Sequence, residues 1–200
     1  MELSNMTGGF PEYFDRLRDI YAAMDDAYDA VAQKYGFTCD HCPDNCCLTR
    51  FYNLTYLEYY YLLAGVGQLP AERQQQIRRK AQEVVGRVAV DEAAGRTPRH
   101  MCPLNVEGRC GLHSHRLMIC RLHGIPHEFR FPDGRVSYGE GCSVFGERCG
   151  DRNYIVFDRT LFYQQLSSLE KDFRQAAGIN GKIKMTIAQM IVAGFREDCR

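Results

Sequence analysis

Four cysteines fall within nine residues, in the order Cys39-x2-Cys42-x3-Cys46-Cys47, and this cluster restricts the fold more than any other feature of the sequence. Thiolates this close together repel one another unless a cation lies among them. Two residues between cysteines also let a tight turn direct both sulfur atoms at one tetrahedral ion. The cluster therefore predicts a metal ion or metal cluster, around which this part of the chain folds.

Five further cysteines lie between residues 96 and 152, where glycine and proline are frequent. They are Cys102, Cys110, Cys120, Cys142 and Cys149, and Cys199 brings the total to ten in 200 residues. Zinc and iron–sulfur sites commonly tie two separated segments of a chain together. The spacing therefore predicts that thiols of this second segment join those of the first cluster.

A disulfide scaffold is the competing explanation of so many cysteines. The first ten residues have neither the basic n-region nor the apolar h-region of a secretory signal peptide, so we expect a cytoplasmic protein whose thiols stay reduced. A chain of 200 residues can also bury a core without covalent cross-links. Both arguments favour metal ligation.

The adjacent residues Cys46 and Cys47 restrict the kind of centre. Side chains of neighbouring residues diverge, so both rarely reach one mononuclear ion. They can instead reach two irons of one cluster, or two metal ions. A single ligand beside a buried bystander, or a strained vicinal disulfide, would also account for the pair.

The overall composition argues against several classes of function. Lys+Arg and Asp+Glu number 25 each, so the formal charge is zero and gives no support to binding of nucleic acid or a membrane surface. No apolar run approaches the ~18 residues of a transmembrane helix. Nucleotide-binding fingerprints, the nucleophile elbow of hydrolases and the zincin motif are also absent from the sequence. We therefore expect no membrane partner and no nucleic acid.

Hydrophobic periodicity predicts a mostly α (α+β) fold, a small helical domain over residues 1–200. Helices are expected over residues 10–35, 54–63, 70–95, about 162–177 and 186–195, and one β-hairpin over residues 128–138. The irregular cysteine-rich, metal-binding section, from about residue 37 to 150, is flanked by the N- and C-terminal helices. Tyr56, Tyr59, Tyr60 and Tyr61 crowd the second helix and cannot all lie on one face. We therefore expect some of them to meet solvent or a ligand and most to pack with their hydroxyls in water.

Two arginines, Arg116 and Arg121, flank Cys120. Four histidines lie nearby, namely His113, His115, His123 and His127. Guanidinium groups beside a thiolate-rich site offset its negative charge and lower thiol pKa values. A second interpretation is that both arginines bind a carboxylate or phosphate of a cofactor or substrate. For each histidine, metal ligation and a structural role stay open.

The order of these motifs resembles a known family. The first cluster is followed by Leu54-Thr55-x2-Glu58, then Cys102-Pro103-Leu104, then Cys110-x5-Arg116-x3-Cys120-Arg121. This order, over residues 37–125, looks like the zinc- or iron-chelating cysteine-cluster family, whose first motif is CxxCxxCC. Here that motif has one residue inserted in its second gap, and residues 112–117 lack the tyrosine and proline of the family's Ile-Tyr-x-x-Arg-Pro segment.

The resemblance implies a ligand set and a class of cofactor. It carries over seven thiols as metal ligands, Cys39, Cys42, Cys46, Cys47, Cys102, Cys110 and Cys120. Cys142 lies outside the matched region and is added as an eighth ligand on its chemistry alone. Members of the family bind zinc or iron–sulfur clusters. A similar cluster in flagellin lysine methylases implies modification of a protein or peptide partner.

Three functions fit these residues. The first is an iron–sulfur cluster that thiolates of two chain segments hold and that serves redox or protein-modifying chemistry. The number of thiolates favours it, because they exceed what one zinc ion needs. The second is structural zinc in a protein-interaction module, and the third is storage or transfer of a soft metal. We favour the first, and whether the thiols form one centre or two stays open.

Overall fold

The structure of the protein, a computed structural model, describes residues 10–39 and 46–197. Its helices are α1 (Pro11–Tyr35), α2 (Tyr56–Gly67), α3 (Ala71–Ala93), α4 (Met118–Arg121), α5 (Ser143–Cys149), α6 (Thr160–Ala176) and α7 (Ile187–Glu197). Its strands are β1 (Asn105–Val106), β2 (Arg109–Cys110), β3 (His127–Arg130) and β4 (Val136–Gly139). The predicted mostly α (α+β) class is confirmed. In the part of the chain that is described, no helix is long and apolar enough to cross a membrane.

Helix α1 follows the predicted hydrophobic stripe closely. Its buried residues recur at steps that keep them on one face, namely Phe14, Leu17, Tyr21, Met24, Val31 and Tyr35. The helix begins at Pro11 and ends at Gly36, whose φ of 59° is the left-handed conformation that glycine adopts without strain. The buried stripe packs against α2, α4 and α6.

Helix α2 is surrounded by other elements, and the expectation that some of its tyrosines meet solvent is wrong for the three consecutive ones, whereas Tyr56 is only half-buried. Tyr59, Tyr60 and Tyr61 are exposed by only 3%, 6% and 2%. The helix packs against α1, α6, α7 and the 3₁₀ turn His113–His115, so several of its faces are covered. The Tyr61 ring contacts α1, while the Tyr60 ring contacts Phe173 of α6. A helix surrounded by others buries residues all round.

Helices α3 and α7 form the second half of the helical framework and pack along each other. The predicted helix over 70–95 is confirmed, with Ile77 and Ala81 buried. Val84 and Val88, which continue the same stripe, are only half-buried. Both line a cavity, described below, and Val84 also packs against the core.

Two antiparallel hairpins interrupt the helices where one was predicted. The expected hairpin is present as β3 and β4, paired from His127↔Gly139 to Arg130↔Val136. The second, β1 with β2, is two residues long on each side and turns at Glu107 and Gly108, whose φ values are 50° and 85°. Such a turn needs positive φ at both central residues, and glutamate is an unusual residue there. This hairpin determines where the second cysteine segment lies.

Candidate functional site

A cavity of about 540 Å³ brings together the cysteines that the sequence singles out. Seven of the eight predicted ligands line it, namely Cys39, Cys46, Cys47, Cys102, Cys110, Cys120 and Cys142. The eighth, Cys42, lies outside the described residues. The lining thiols come from the first cluster, from residues 102–120 and from the segment after β4, so regions far apart in sequence converge on one space.

Backbone hydrogen bonds fix the position of several of these cysteines. The 3₁₀ turn Cys46–Leu48 carries two of them, and the Cys102 N–H donates to the Cys47 carbonyl at 2.8 Å, which ties the first cluster to the second segment. The β1–β2 pairing places Cys110 opposite Asn105. These segments are therefore held together by the main chain as well as by their sulfur atoms.

A buried carboxylate positions the helix that carries Cys120. Glu58, 3% exposed, accepts hydrogen bonds from the Met118 N–H at 2.8 Å, the Tyr21 hydroxyl at 2.8 Å and the Thr55 hydroxyl at 2.7 Å. Met118 is the first residue of α4, two positions before Cys120. The Thr55-x2-Glu58 motif therefore begins α2 and anchors α4 at the same time.

Four thiols form a mutually interacting group, which we call the four-thiol group: Cys47, Cys102, Cys110 and Cys120. Burial raises the pKa of Cys102 and Cys110, and it raises the pKa of Cys120 to about 12. Negative charge on the other members raises these pKa values further. Such thiols ionise readily only when a cation offsets the charge, which is the chemistry of a thiolate metal site.

Cys46 and Cys47 remain within hydrogen-bonding reach of each other, and both are reduced thiols. The hydrogen bond from Cys46 lowers the pKa of Cys47 to about 6, with further lowering by Asn105 and the Arg116 charge. The same hydrogen bond, with burial, raises the pKa of Cys46. Cys47 is therefore the more acidic thiol of the pair.

A second region of the cavity contains Cys39 and Cys142 beside Tyr28. The Tyr28 hydroxyl lies 3.8 Å from the Sγ atom of Cys39. Cys142 precedes α5, where its Sγ accepts the Phe145 N–H at 3.3 Å, and its own N–H donates to the Gly124 carbonyl at 2.9 Å. Burial raises the pKa of Tyr28, and charge on Cys39 and on Cys142 raises it further.

Sharing a cavity is not the same as forming a complete ligand set. Within residues 10–39 and 46–197, no group of three or more His, Cys, Asp or Glu side chains is arranged so that it could hold a metal ion. A metal centre in this cavity therefore requires thiol side chains to turn towards one another. The donor chemistry fits a soft metal, because thiolates select zinc, copper(I) and iron–sulfur clusters.

The two predicted anion-binding arginines differ in their surroundings. Arg116 lines the cavity, and its buried Nε has no hydrogen-bond partner among the described residues. Arg121 does not line the cavity. Its guanidinium pairs with Asp25, donates to the carbonyls of Ser114 and Arg116, and lies 4.4 Å from the centroid of the Tyr21 ring. Arg121 thus holds α4 against α1, while both arginine charges lower the pKa of Cys110.

Three of the four histidines that the sequence analysis names, His113, His115 and His123, line the cavity, whereas His127 does not. His100 and Arg109, which the motifs do not indicate, also line it. An apolar wall comes from Phe51, Val84, Val88 and Ile187, among others. No sequence signal points to this wall, because α3 and α7 meet only in the folded chain.

Two cysteines stand apart from the site. Cys149 is buried on α5, and its Sγ donates weakly to the Tyr35 carbonyl at 3.7 Å. It does not line the cavity, so it packs in the core. Cys199 lies outside the described residues.

No family model, no curated protein and no solved structure matches this chain. The resemblance to the cysteine-cluster family therefore stays a prediction that rests on the motifs alone.

Proposed function

We propose that the cavity holds a thiolate metal centre, an iron–sulfur cluster that serves redox or protein-modifying chemistry. Its ligands come from eight cysteines, namely Cys39, Cys42, Cys46, Cys47, Cys102, Cys110, Cys120 and Cys142. One observation carries the proposal: seven of these eight residues line a single cavity although they come from distant parts of the chain. The protein would act in a reducing compartment such as the cytoplasm, where the thiols stay available to metal.

The cavity favours a reactive centre over a closed one. A structural zinc site is sealed by four protein ligands and needs no space beside it. Here the cavity of about 540 Å³ continues past the thiols to histidines and an apolar wall. This is within the range of small-molecule sites, so a substrate group or the side chain of a protein or peptide partner can approach the metal.

Arg116 fits the same proposal. Thiolate centres carry net negative charge, and a guanidinium whose buried Nε has no hydrogen-bond partner among the described residues offsets part of it. The Arg116 charge lowers the pKa of Cys47, Cys110 and Cys120. Binding of a carboxylate or phosphate by Arg116 stays compatible with this role.

Structural zinc in a protein-interaction module is the second candidate, and the four-thiol group favours it. Four thiolates are what one tetrahedral zinc ion takes. In each of the six pairs of this group, charge on one thiol acts on the pKa of the other. The two candidates therefore differ in the metal and in what the rest of the cavity does.

Purification without oxygen separates them. We expect a brown protein with iron and acid-labile sulfide, measured by its visible spectrum and by elemental analysis. A colourless protein with stoichiometric zinc would contradict the iron–sulfur centre and support the second candidate. A protein with no bound metal, and no uptake of added iron or zinc, would refute both.

A matched pair of variants tests the ligand assignment. Cys110→Ser removes a cavity thiol and should cut the metal content, whereas Cys149→Ser changes a cysteine away from the cavity and should keep it. Circular dichroism and thermal melts verify that both variants fold. Equal metal loss in the two would show that metal content follows general thiol loss or instability rather than these ligands.

A further inference from the structure

We propose that the cavity contains two thiol sites: the four-thiol group, and a separate soft-metal site built on Cys39 and Cys142 beside the Tyr28 hydroxyl. This inference rests on the proposed function, since it divides the same cysteines between two centres.

The four-thiol group has as many thiols as one centre needs, once its side chains turn towards one another. Its members are linked by the main chain, through the Cys102 N–H bond to the Cys47 carbonyl at 2.8 Å and through the β1–β2 hairpin that carries Cys110. Four thiolates satisfy one tetrahedral zinc ion or one iron–sulfur cluster. Cys39 and Cys142 also line the cavity and are not members of this group.

Tyr28 connects Cys39 with Cys142. Its hydroxyl lies 3.8 Å from the Cys39 Sγ. The same hydroxyl lies against Gly124, where a Cβ atom would approach it to 2.5 Å. The Gly124 carbonyl in turn accepts the Cys142 N–H at 2.9 Å. These contacts place one phenol oxygen beside a thiol of the first cluster and next to the backbone of a cysteine more than 100 residues away in the sequence.

Glycine at position 124 is required for this arrangement. Its φ is 129°, in the region that L side chains rarely adopt, and any Cβ there would displace the Tyr28 hydroxyl. The Gly124 backbone therefore lies close to the Tyr28 hydroxyl, and the Gly124 carbonyl accepts the N–H of Cys142, which lines the cavity. Such a close approach is a common reason for glycine at a ligand site.

The chemistry of the second site differs from that of the first. Two thiolates select a soft metal ion, and the Tyr28 oxygen or the nearby Cys46 thiol offers a further donor. Because this site has fewer protein thiolates than the four-thiol group, it leaves coordination positions open to an external ligand. An open position is what a catalytic or transferable metal needs, and a structural metal does not.

Cadmium titration of the full-length protein tests the division. After chelation under anaerobic reducing conditions, bound Cd²⁺ is counted per chain for wild type, Cys142→Ser and Cys110→Ser, with Cys149→Ser as the control. We expect two classes of binding in the wild type. Cys142→Ser should weaken one class at least tenfold and leave the other intact, Cys110→Ser should do the converse, and Cys149→Ser should change neither.

Tyr28→Phe provides a second variant in case Cys142→Ser disturbs α5. It retains the ring, which contacts Phe157 at 6.2 Å between centroids, and removes only the hydroxyl. It should weaken the second class alone.

The outcomes distinguish this inference from the proposed function. A wild type that binds no Cd²⁺ refutes both. A wild type with a single class, or variants that weaken both classes equally, refutes the second site and leaves one thiolate centre. Wild-type binding by both Cys142→Ser and Tyr28→Phe also refutes the second site.

Discussion

Replacing Glu58 with glutamine should loosen the short helix α4 and lower the metal content of the protein. The Glu58 carboxylate accepts hydrogen bonds from three groups on three parts of the chain, the Tyr21 hydroxyl of α1, the Thr55 hydroxyl before α2 and the Met118 N–H of α4. Because α4 carries Cys120 and spans only four residues, this bond is a main constraint on where the thiol lies. We therefore regard Glu58 as a positioning residue.

The magnitude follows from the geometry of these bonds. Glutamine can still accept at Oε1, where Tyr21 and Met118 donate, but it places an amide group opposite the Thr55 hydroxyl and removes the negative charge. Hydrogen bonds to a charged group contribute about 1.5–3 kcal/mol, against about 0.5–1.5 kcal/mol for neutral ones. We expect a loss of about 2 kcal/mol in the free energy of unfolding. For a chain of this size, that corresponds to roughly 4–8 °C in Tm.

Glu170 provides the matched control. Its carboxylate is also buried, at 8% exposure, and it accepts the N–H groups of Tyr56 and Leu57 at 2.9 Å each. These bonds hold the start of α2 without touching α4. Glu170→Gln should therefore lower Tm by a similar amount without altering the site. The assay combines thermal melts with metal analysis and the visible spectrum of each variant, normalised to folded protein.

Two results would refute this reasoning. If Glu58→Gln and Glu170→Gln lose equal fractions of metal per folded molecule, Glu58 only stabilises the fold. If Glu58→Gln melts like the wild type, the three hydrogen bonds contribute no net stability. Recovery of the wild-type spectrum in Glu58→Asp would indicate that a carboxylate at this position is sufficient.

Three further predictions concern the cavity. In metal-free protein, iodoacetamide should modify Cys47 faster than the more exposed Cys46. The rate at Cys47 should fall as the pH drops through about 6, because the pKa of Cys47 is lowered and its thiolate is present only above that pH. Mass spectrometry that finds Cys46 more reactive at pH 7 would contradict the lowered pKa of Cys47. Arg116→Lys should retain the metal with an altered spectrum, whereas Arg116→Met should lower the metal content, and equal content in both would exclude charge balance as its role. Removal of metal by a chelator should leave the far-UV circular dichroism spectrum largely unchanged, because an apolar core stabilises the helices. A large loss of helicity would show instead that the metal supplies the free energy of folding.

Local patterns were sufficient to predict much of the fold. The stripe from Phe14 to Tyr35 determines α1, because steps of three and four place apolar side chains on one face whatever they pack against. The hairpin of β3 and β4 follows from alternating residues on both sides of a turn. That seven predicted ligands share one cavity could be predicted from the clustering of cysteines in the sequence, without knowledge of the helices around them.

The remaining features depend on contacts between distant segments. Tyr59 through Tyr61 are buried because α1, α6 and α7 pack around α2. The sequence of α2 alone does not indicate how many helices will pack against it. The role of Arg121 depends on Asp25, 96 residues earlier in the chain. The β1–β2 turn uses Glu107 with positive φ, a conformation that sequence preferences disfavour for glutamate. Tertiary packing overrides local preference in all three cases.

Contacts that involve no metal bring the thiols together. The main chain of Cys102 is bonded to that of Cys47, the main chain of Cys142 to Gly124, and α4 to Glu58. These bonds connect the described cysteine segments to a framework of packed helices, and none of them depends on a metal. A zinc finger lacks such a core, and there the metal has to supply the free energy of folding. Among the cysteines that the structure describes, the metal binding that we propose would order little more than the rotamers of short side chains, which costs less conformational entropy than folding a segment around the metal. If the proposed centre forms, the free energy of coordination would contribute to metal affinity, and the cavity would be able to exchange its metal while the helical fold remains intact.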